Sequence, residues 1–246
     1  MIEYQATTIA EVINLVLKIS SNTKEPIWFR GQPNSEWTLQ PPMFRLGKEI
    51  KENQYISDYL SKTRAHNDYR GYSEFDILMQ MTLDGIPTRL LDWSENLMTS
   101  LFFAIFGNRN ADGALFILFP IKLNKANTEM DGSESDKIPF IDIEDKRFKK
   151  YLPTYFIKNQ VATLPPLAGL PLYPKKWIKD SGVGLVFFHN SKTLIETIDT
   201  DNEIVFKINI KRKAKAIMLE NLRKMGLLPP SKDYILSDLR RELYEK

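Results

Sequence analysis

The stretch GIPTRLLDWS, residues 85–94, and the apolar run behind it, residues 97–106, determine how the rest of this sequence is interpreted. The first stretch follows a turn signal and places the hydroxyl of Thr88 and the guanidinium of Arg89 among leucines. The second is apolar on nearly every face of a helix, so we expect a buried helix that ends at Gly107-Asn108. A short segment that carries polar groups and rests on a buried helix is typical of the rigid floor of a functional site.

Asp92, within the first stretch, has two interpretations. It stands three residues before Glu95, which is the spacing of a helix N-cap and its reciprocating carboxylate. On one interpretation Asp92 only caps the helix and Arg89 only pairs with it. On the other, both side chains belong to a functional site, and the local pattern leaves the two alternatives open.

The composition bounds the class of protein. The chain has 246 residues, of which 43% are hydrophobic and 11% aromatic, so it can build a sizeable core as one large domain or two small ones. It has no cysteine, which excludes disulfides, a thiolate nucleophile and zinc–thiolate sites and fits a reducing cytoplasm. His66 and His189 are too far apart for a helical metal pair, so we expect no metal site. No signal peptide or membrane-length apolar run is visible, so we expect a cytoplasmic protein with no membrane partner.

Hydrophobic periodicity predicts the main elements. The capping box of Thr8 and Glu11 begins an amphipathic helix at about residues 9–19, and Ser73 with Asp76 begins another. Apolar and alternating runs predict strands, at residues 27–32, 113–120, 182–188 and 203–210. Further helices are predicted, at about residues 48–69, 211–225 and 231–245.

The chain shows no repeat, low-complexity tract or clear linker, so residues 1–246 are predicted to form one α+β domain. Its expected architecture is a central mixed sheet of short strands flanked by helices. Residues 124–146 are polar and acidic and predict a solvated insertion. The prolines of residues 151–174 predict an extended segment over the surface.

Arg30 follows the apolar residues Trp28 and Phe29 within the first predicted strand. A charged guanidinium inside such a strand is costly unless it is paired. Arg30 therefore either meets a carboxylate, such as that of Asp92, or faces a cleft that receives an anion, for which its planar fork suits a pyrophosphate. Gly31, directly after it, lets a ligand approach the backbone closely.

Two motifs carry a resemblance to a known family. They are WFRGQ with Trp37-x-Leu39, residues 28–39, and PTRLLDWSxN followed by LFFA, residues 87–104. In this order and spacing they closely resemble the FRG domain, which is named for its Phe-Arg-Gly. The C-terminal strand and lysine-rich helix are also similar, so the resemblance extends over about residues 8–243. The Gln-His and Gln-Gln-Gly-like elements of the family are replaced here, by Thr82-Leu83 and Asp180-Ser181-Gly182.

The FRG domain in turn resembles the ADP-ribosyltransferase toxins, which implies an ADP-ribosyltransferase-like fold and NAD as co-substrate. In those toxins an arginine on the first strand grips NAD, and Arg30 fits that place. A later strand that runs into a helix corresponds to Thr88–Asp92 followed by Phe103-Ala104. The third element, a catalytic glutamate on a later strand, has three candidates that are also ordinary surface carboxylates, Glu196, Glu203 and Asp180.

The resemblance implies two sets of site residues. The predicted catalytic residues are Arg30, Thr88, Arg89, Asp92 and Glu203. The predicted NAD-binding residues are Phe29, Arg30, Gly31, Gln32, Thr88, Trp93 and Asn96. Cleavage of the nicotinamide–ribose bond passes through an oxocarbenium-like state, which needs a clamp on the pyrophosphate, an aromatic wall and a polar group near the ribose. No metal is needed, and a Rossmann-type oxidoreductase is disfavoured because the sequence lacks Gly-x-Gly-x-x-Gly.

A run of cations near the C-terminus favours a second class of function. The predicted nucleic-acid-binding residues are Lys211, Arg212, Lys213 and Lys215, although a solvated helix face is the more usual explanation. Both interpretations combine in a toxin of a bacterial toxin–antitoxin or phage-defence system. We expect its acceptor to be nucleic acid, RNA first, and otherwise protein, and the resemblance to toxins implies an antitoxin or chaperone as a partner. The alternative is a non-enzymatic FRG module that has a nucleic-acid-binding or a regulatory function.

Overall fold

The fold is given by a computed structural model, which describes residues 1–45, 52–64, 69–127, 136–142, 144–154, 163–171, 183–201 and 203–227. Its strands are β1 (Ile2–Ala6), β2 (Trp28–Gln32), β3 (Leu90–Ser94), β4 (Gly113–Leu118), β5 (Phe140–Ile141), β6 (Leu167–Pro171), β7 (Val183–Phe187) and β8 (Val205–Ile210). Its helices are α1 (Ile9–Ser20), α2 (Pro42–Arg45), α3 (Glu52–Thr63), α4 (Glu74–Leu83), α5 (Leu97–Ile105), α6 (Pro120–Lys125), α7 (Lys146–Lys149), α8 (Ile195–Ile198) and α9 (Arg212–Lys224).

The eight strands form one mixed sheet in the order β1-β8-β4-β2-β3-β7-β6-β5. β1 with β8 and β5 with β6 are parallel, and the other neighbouring pairs are antiparallel. The predicted central mixed sheet with flanking helices is therefore confirmed, in a mixed α/β architecture. That a single domain covers residues 1–246 stays a prediction. Among the helices of the described residues, none is long and apolar enough to cross a membrane.

Apolar side chains cover both faces of the sheet. Helices α1, α5 and α9 pack on one face, over β4 and β8. On the other face the fully buried Trp28 lies in a cluster with Leu39, Trp93 and Ile195, the first residue of α8. A third cluster joins α4 and α7 to β3, β6 and β7. The interior strand β4 is buried along its whole length, as expected for a wholly apolar strand.

Helix α5 is the buried helix that the sequence predicts. Seven of its nine residues are buried, from Thr99 to Ile105. The helix packs directly on β2 because Gly31 has no side chain: a Cβ added there would lie 1.9 Å from the backbone oxygen of Ser100. The open side of Gly31 is therefore filled by α5, whereas the sequence assigned that space to a ligand.

The start of α5 corrects the prediction for Asp92. The N-cap is Asn96, whose side-chain oxygen accepts hydrogen bonds from the backbone N–H groups of Met98 at 2.9 Å and Thr99 at 3.1 Å. Asp92 lies inside β3, where its backbone is opposite Leu185 of β7. The N-cap interpretation of Asp92 is wrong because β3 continues past it and Asn96 satisfies the free N–H groups of α5. Asn96, predicted to bind NAD, thus has a structural use for its side chain.

Most of the other predicted elements are confirmed. The helix at residues 9–19 is α1, the strands at residues 27–32 and 113–120 are β2 and β4, and the helix at residues 211–225 is α9. Ser73 and Asp76 form the predicted capping box of α4. The predicted helix at residues 231–245 and the Asp180-Ser181-Gly182 element lie outside the described residues.

Two segments that the sequence placed at the surface are partly buried. Residues 167–169, in the proline-rich segment, belong to β6 and are buried because they pair with β7. Asn124, at the start of the predicted solvated insertion, is fully buried, and its side-chain amide exchanges two hydrogen bonds with the backbone of Ala168, at 3.0 and 2.8 Å. Both surface predictions are wrong there, because local polarity and proline content do not reveal which backbone finds a partner.

Candidate functional site

Strands β2 and β3 are neighbours in the sheet, but in their described residues only Phe29 and Ser94 are bridged. Each strand pairs over five residues with its other neighbour, β2 with β4 and β3 with β7. Beyond Phe29 the two strands therefore part, and the sheet opens between them. We call this space the β2–β3 opening, bounded by residues 30–32 on one side and residues 90–93 on the other.

The Arg30 side chain spans the β2–β3 opening and bonds to Asp92. Its Nη1 donates to the backbone oxygen of Asp92 at 2.7 Å and to the carboxylate at 3.0 Å. Only 10% of the Arg30 side chain and 22% of the Asp92 side chain are exposed. Of the two alternatives for Arg30, the carboxylate partner is therefore present, and it is the predicted one.

This ion pair uses only one of the three nitrogens of the Arg30 guanidinium. Within the described part of the chain, Nε and Nη2 donate to no protein group, and Nε is buried. These two nitrogens form the edge whose parallel N–H groups bind a carboxylate or phosphate in bidentate fashion. The Nε–Nη2 edge of the paired Arg30 thus has no protein partner in the described chain, so the anion-binding alternative remains chemically available.

Several polar atoms around the β2–β3 opening are buried and unpaired. Trp28, Arg30 and Gln32 share one face of β2, because side chains alternate across a strand. Gln32 is 1% exposed, and neither atom of its amide has a hydrogen-bond partner among the described residues. The indole N–H groups of Trp28 and Trp93 are likewise buried without a partner there. Leaving such a group unpaired costs about 1–3 kcal/mol, so this concentration marks a candidate site.

Thr88 is placed away from solvent. It is 1% exposed, its hydroxyl lies 2.7 Å from that of Thr82, and it accepts a hydrogen bond from the backbone N–H of Leu90. These contacts join the end of α4 to the beginning of β3. Thr88 therefore shapes the strand that carries Asp92, and its hydroxyl is already engaged.

Arg89 holds α3 against the sheet. Its buried guanidinium bonds to the carboxylate of Glu52 at the start of α3, and to the backbone oxygens of Phe188 and His189 after β7. The carboxylate found for Arg89 is thus Glu52, where the sequence had proposed Asp92. Burial, and then the charge of Arg89, lower the pKa of His189 to about 4, so that its ring is neutral at pH 7.

The segment that contains the β2–β3 opening also has a family match. Residues 25–113 match the model of the FRG domain. This part of the chain is therefore similar to an FRG domain. We call it the FRG segment; it begins just before β2 and ends at the first residue of β4, so it contains Arg30, Gln32 and Asp92. No curated protein and no solved structure is detectably similar to the chain. The wider resemblance, over residues 8–243, stays a prediction.

The structure does not bring Glu203 to the β2–β3 opening. Glu203 precedes β8, which β4 separates from β2, and its exposed carboxylate bonds to Lys122 of α6 at 2.8 Å. That hydrogen bond lowers the pKa of the Glu203 carboxyl. Among the other candidates, Asp180 lies outside the described residues. Glu196 accepts from the backbone N–H of Leu39 at 2.9 Å, and its second oxygen is buried without a partner in the described chain.

The predicted nucleic-acid-binding residues at the start of α9 lie outside the FRG segment, and Lys211 and Lys215 among them bond to protein groups. Lys215 is 2% exposed and donates from Nζ to the backbone oxygens of Pro33 at 2.6 Å and Asn108 at 2.8 Å. It therefore cannot contact a phosphate at the surface as predicted. Lys211 pairs with Asp112 at 3.1 Å, whereas Arg212 and Lys213 are exposed. The Arg212 backbone N–H, with Lys211, holds the pKa of Asp112 below its usual range.

Sequence reasoning missed Glu52 because no local signal connects it to Arg89, 37 residues later. It included Gln32 only through its place in the FRG motif. That its amide is buried and unpaired can be recognised only when the neighbours of Gln32 are known.

In the described residues, no group of three or more His, Cys, Asp or Glu side chains is arranged to hold a metal ion.

Proposed function

We propose that this chain is an NAD-dependent ADP-ribosyltransferase in which Arg30 binds the pyrophosphate of NAD. The observation that supports this is that Asp92 holds the Arg30 guanidinium through Nη1, while its Nε–Nη2 edge has no protein partner among the described residues. A pyrophosphate presents neighbouring charged oxygens that match such a fork. A guanidinium fixed before binding also loses less conformational freedom when the ligand arrives.

In the proposed reaction the bond between C1′ of the ribose and the nicotinamide nitrogen breaks, and nicotinamide leaves as a neutral molecule with the bonding electron pair. A nucleophile of the acceptor forms the new bond to C1′ and releases its proton to solvent. Positive charge develops on the ribose, and a nearby carboxylate stabilises it. Asp92 lies beside the opening and is partly exposed, so we assign it this role in preference to Glu203.

The proposed biological role is that of a toxin in a bacterial toxin–antitoxin or phage-defence system, held in check by an antitoxin or chaperone. It rests on the resemblance of the FRG domain to transferase toxins. A nucleic-acid acceptor, RNA first, is supported by the exposed Arg212 and Lys213 at the start of α9. With Lys215 buried and Lys211 paired, this support is narrower than the sequence indicated, and a protein acceptor is the second choice.

Transfer of label from NAD tests the proposal. Wild type, Arg30→Lys and Arg30→Ala are incubated with NAD that carries label in its adenylate phosphate, together with RNA, DNA or a protein mixture. We expect wild type to label one acceptor class. Arg30→Lys keeps the charge but not the fork, so transfer should fall roughly 100-fold or more, and Arg30→Ala should abolish it.

The control for these variants is Arg223→Ala, which removes an exposed guanidinium paired only with Glu220 among the described carboxylates. It should transfer label as wild type does. Circular dichroism shows whether Arg30→Ala remains folded. The proposal fails if wild type neither binds NAD nor transfers label, or if a folded Arg30→Ala is as active as wild type.

A further inference from the structure

We infer that Gln32 recognises a part of NAD that presents a hydrogen-bond donor and an acceptor side by side. This inference rests on the function proposed above and adds a specificity-determining residue to it. The starting observation is that the Gln32 amide, 1% exposed, leaves both its NH₂ and its oxygen unpaired within the described chain. A primary amide can donate and accept in one plane, so its full complement is a partner with the same two functions in reverse order.

Leaving this amide without partners is costly for the protein alone. Replacing two partnered polar groups by apolar ones is often neutral, but an unpaired buried polar group costs the full loss of its hydration. An apolar side chain at position 32 would fold more favourably here, opposite the buried Ala114 of β4. Destabilising features of this kind are found mainly at functional sites, where ligand binding compensates for their free-energy cost.

The position of Gln32 agrees with a ligand that also reaches Arg30. Both side chains leave the same face of β2, two residues apart, and hence about 7 Å from each other along the strand. A dinucleotide whose pyrophosphate lies on the Arg30 fork extends one nucleoside toward Gln32. Because the amide is enclosed, the side chains packed over this face of β2 must move apart when that nucleoside enters.

Both ends of NAD carry the required chemistry. The nicotinamide end has a primary carboxamide, and the adenine end has an amino group beside a ring nitrogen that glutamine binds in bidentate fashion. Two analogues separate these sources. Nicotinic acid adenine dinucleotide replaces the carboxamide by a carboxylate, and nicotinamide hypoxanthine dinucleotide replaces the adenine amino group by an oxygen.

The test combines binding and melting. Affinities of wild type, Gln32→Met and Gln32→Glu for NAD and the two analogues are measured by calorimetry, and melting temperatures without ligand by differential scanning fluorimetry. Gln32→Met should bind NAD about tenfold or more weakly. It should also melt about 2–4 °C higher than wild type, because an apolar side chain of similar shape replaces the unpaired amide. Gln32→Glu keeps the shape and the acceptor but loses the donor, so its NAD affinity should also fall.

The matched control is Gln5→Met on β1. Gln5 lies in the same cross-strand row as Gln32, through Ala114 and Asn209, but it is exposed. We expect no change there in either measurement.

Wild type should also discriminate against one analogue about tenfold, which identifies the end of NAD that Gln32 contacts, and Gln32→Met should lose that discrimination. The inference is overturned if both Gln32 variants bind NAD as wild type does, or if wild type binds all three dinucleotides equally. If wild type binds none of them, the proposed function itself has failed.

Discussion

The guanidinium of Arg89 and the carboxylate of Glu52 form a buried ion pair that joins the residue before β3 to the first residue of α3. Arg89 also donates to the backbone oxygens of Phe188 and His189, so α3, β3 and the end of β7 meet at one side chain. The two arginines of the FRG motifs therefore differ in role. Arg89 has its donors directed to protein groups, whereas the Nε–Nη2 edge of Arg30 has no partner among the described residues.

The first prediction concerns Glu52. Glu52→Gln should lower the free energy of unfolding by about 3–5 kcal/mol, because it leaves the buried Arg89 charge without its carboxylate. The measurement is urea unfolding monitored by circular dichroism. Glu36→Gln, at an exposed carboxylate, is the matched control and should change stability by less than about 0.5 kcal/mol. A loss for Glu52→Gln no larger than that of the control would contradict a structural role for Arg89.

The second prediction separates Asp92 from Asn96. Asn96→Ala should cost about 1 kcal/mol of unfolding free energy, since it removes the cap of α5, while Asn96→Asp retains a capping group and should be nearly silent. Asp92→Asn should leave α5 intact but remove the charge that faces Arg30, and thereby abolish label transfer. Urea unfolding and the transfer assay distinguish these effects. Full activity in Asp92→Asn would show that its carboxylate has no part in the reaction.

The third prediction is a pH dependence that arises from His189. Its pKa in the folded protein, about 4, lies below the ordinary value of 6.5. The unfolded chain therefore binds a proton first as the pH falls, so stability present above about pH 6.5 is lost progressively toward pH 4. Urea midpoints measured from pH 7 to pH 4 should fall less steeply in His189→Gln than in wild type. His66→Gln is the histidine control, and an identical pH profile for wild type and His189→Gln would refute the prediction.

The fourth prediction concerns the exposed cations of α9. If they guide a nucleic-acid acceptor, Arg212→Gln with Lys213→Gln should flatten the salt dependence of RNA binding by about one to two units in the log–log slope. NAD affinity should not change. Fluorescence anisotropy of a labelled RNA at several salt concentrations measures the slope. A slope equal to that of wild type would remove α9 from the acceptor site and favour a protein acceptor.

Lys215 provides the contrast within the same helix. Because its amine is buried against two backbone oxygens, Lys215→Met should lower stability rather than the salt slope. The salt slope of Lys215→Met is measured by the same fluorescence anisotropy assay, and its free energy of unfolding is measured with urea. A selective effect of Lys215→Met on the slope would mean that its amine faces the nucleic acid after all.

The sequence by itself determined the elements whose signals are local. Apolar periodicity predicted α1, β2, β4 and the buried α5, since each pattern repeats within one element. The FRG motif could also be recognised from the sequence, because its residues are close together in the chain. Arg30 was singled out by a local conflict, a charge in an apolar strand, and its partner Asp92 was among the alternatives.

The tertiary structure alone decided what depends on neighbours distant in sequence. Glu52 and Arg89 meet across 37 residues, and Lys215 reaches Pro33 across 182, distances over which no sequence period extends. The sequence also could not place the N-cap of α5, since Asp92 and Asn96 are both good capping residues and only the pairing of β3 with β7 extends the strand past Asp92. That the Gln32 amide has no partner among the described residues is likewise a property of its surroundings, because burial is set by what packs over a residue and not by the residue itself.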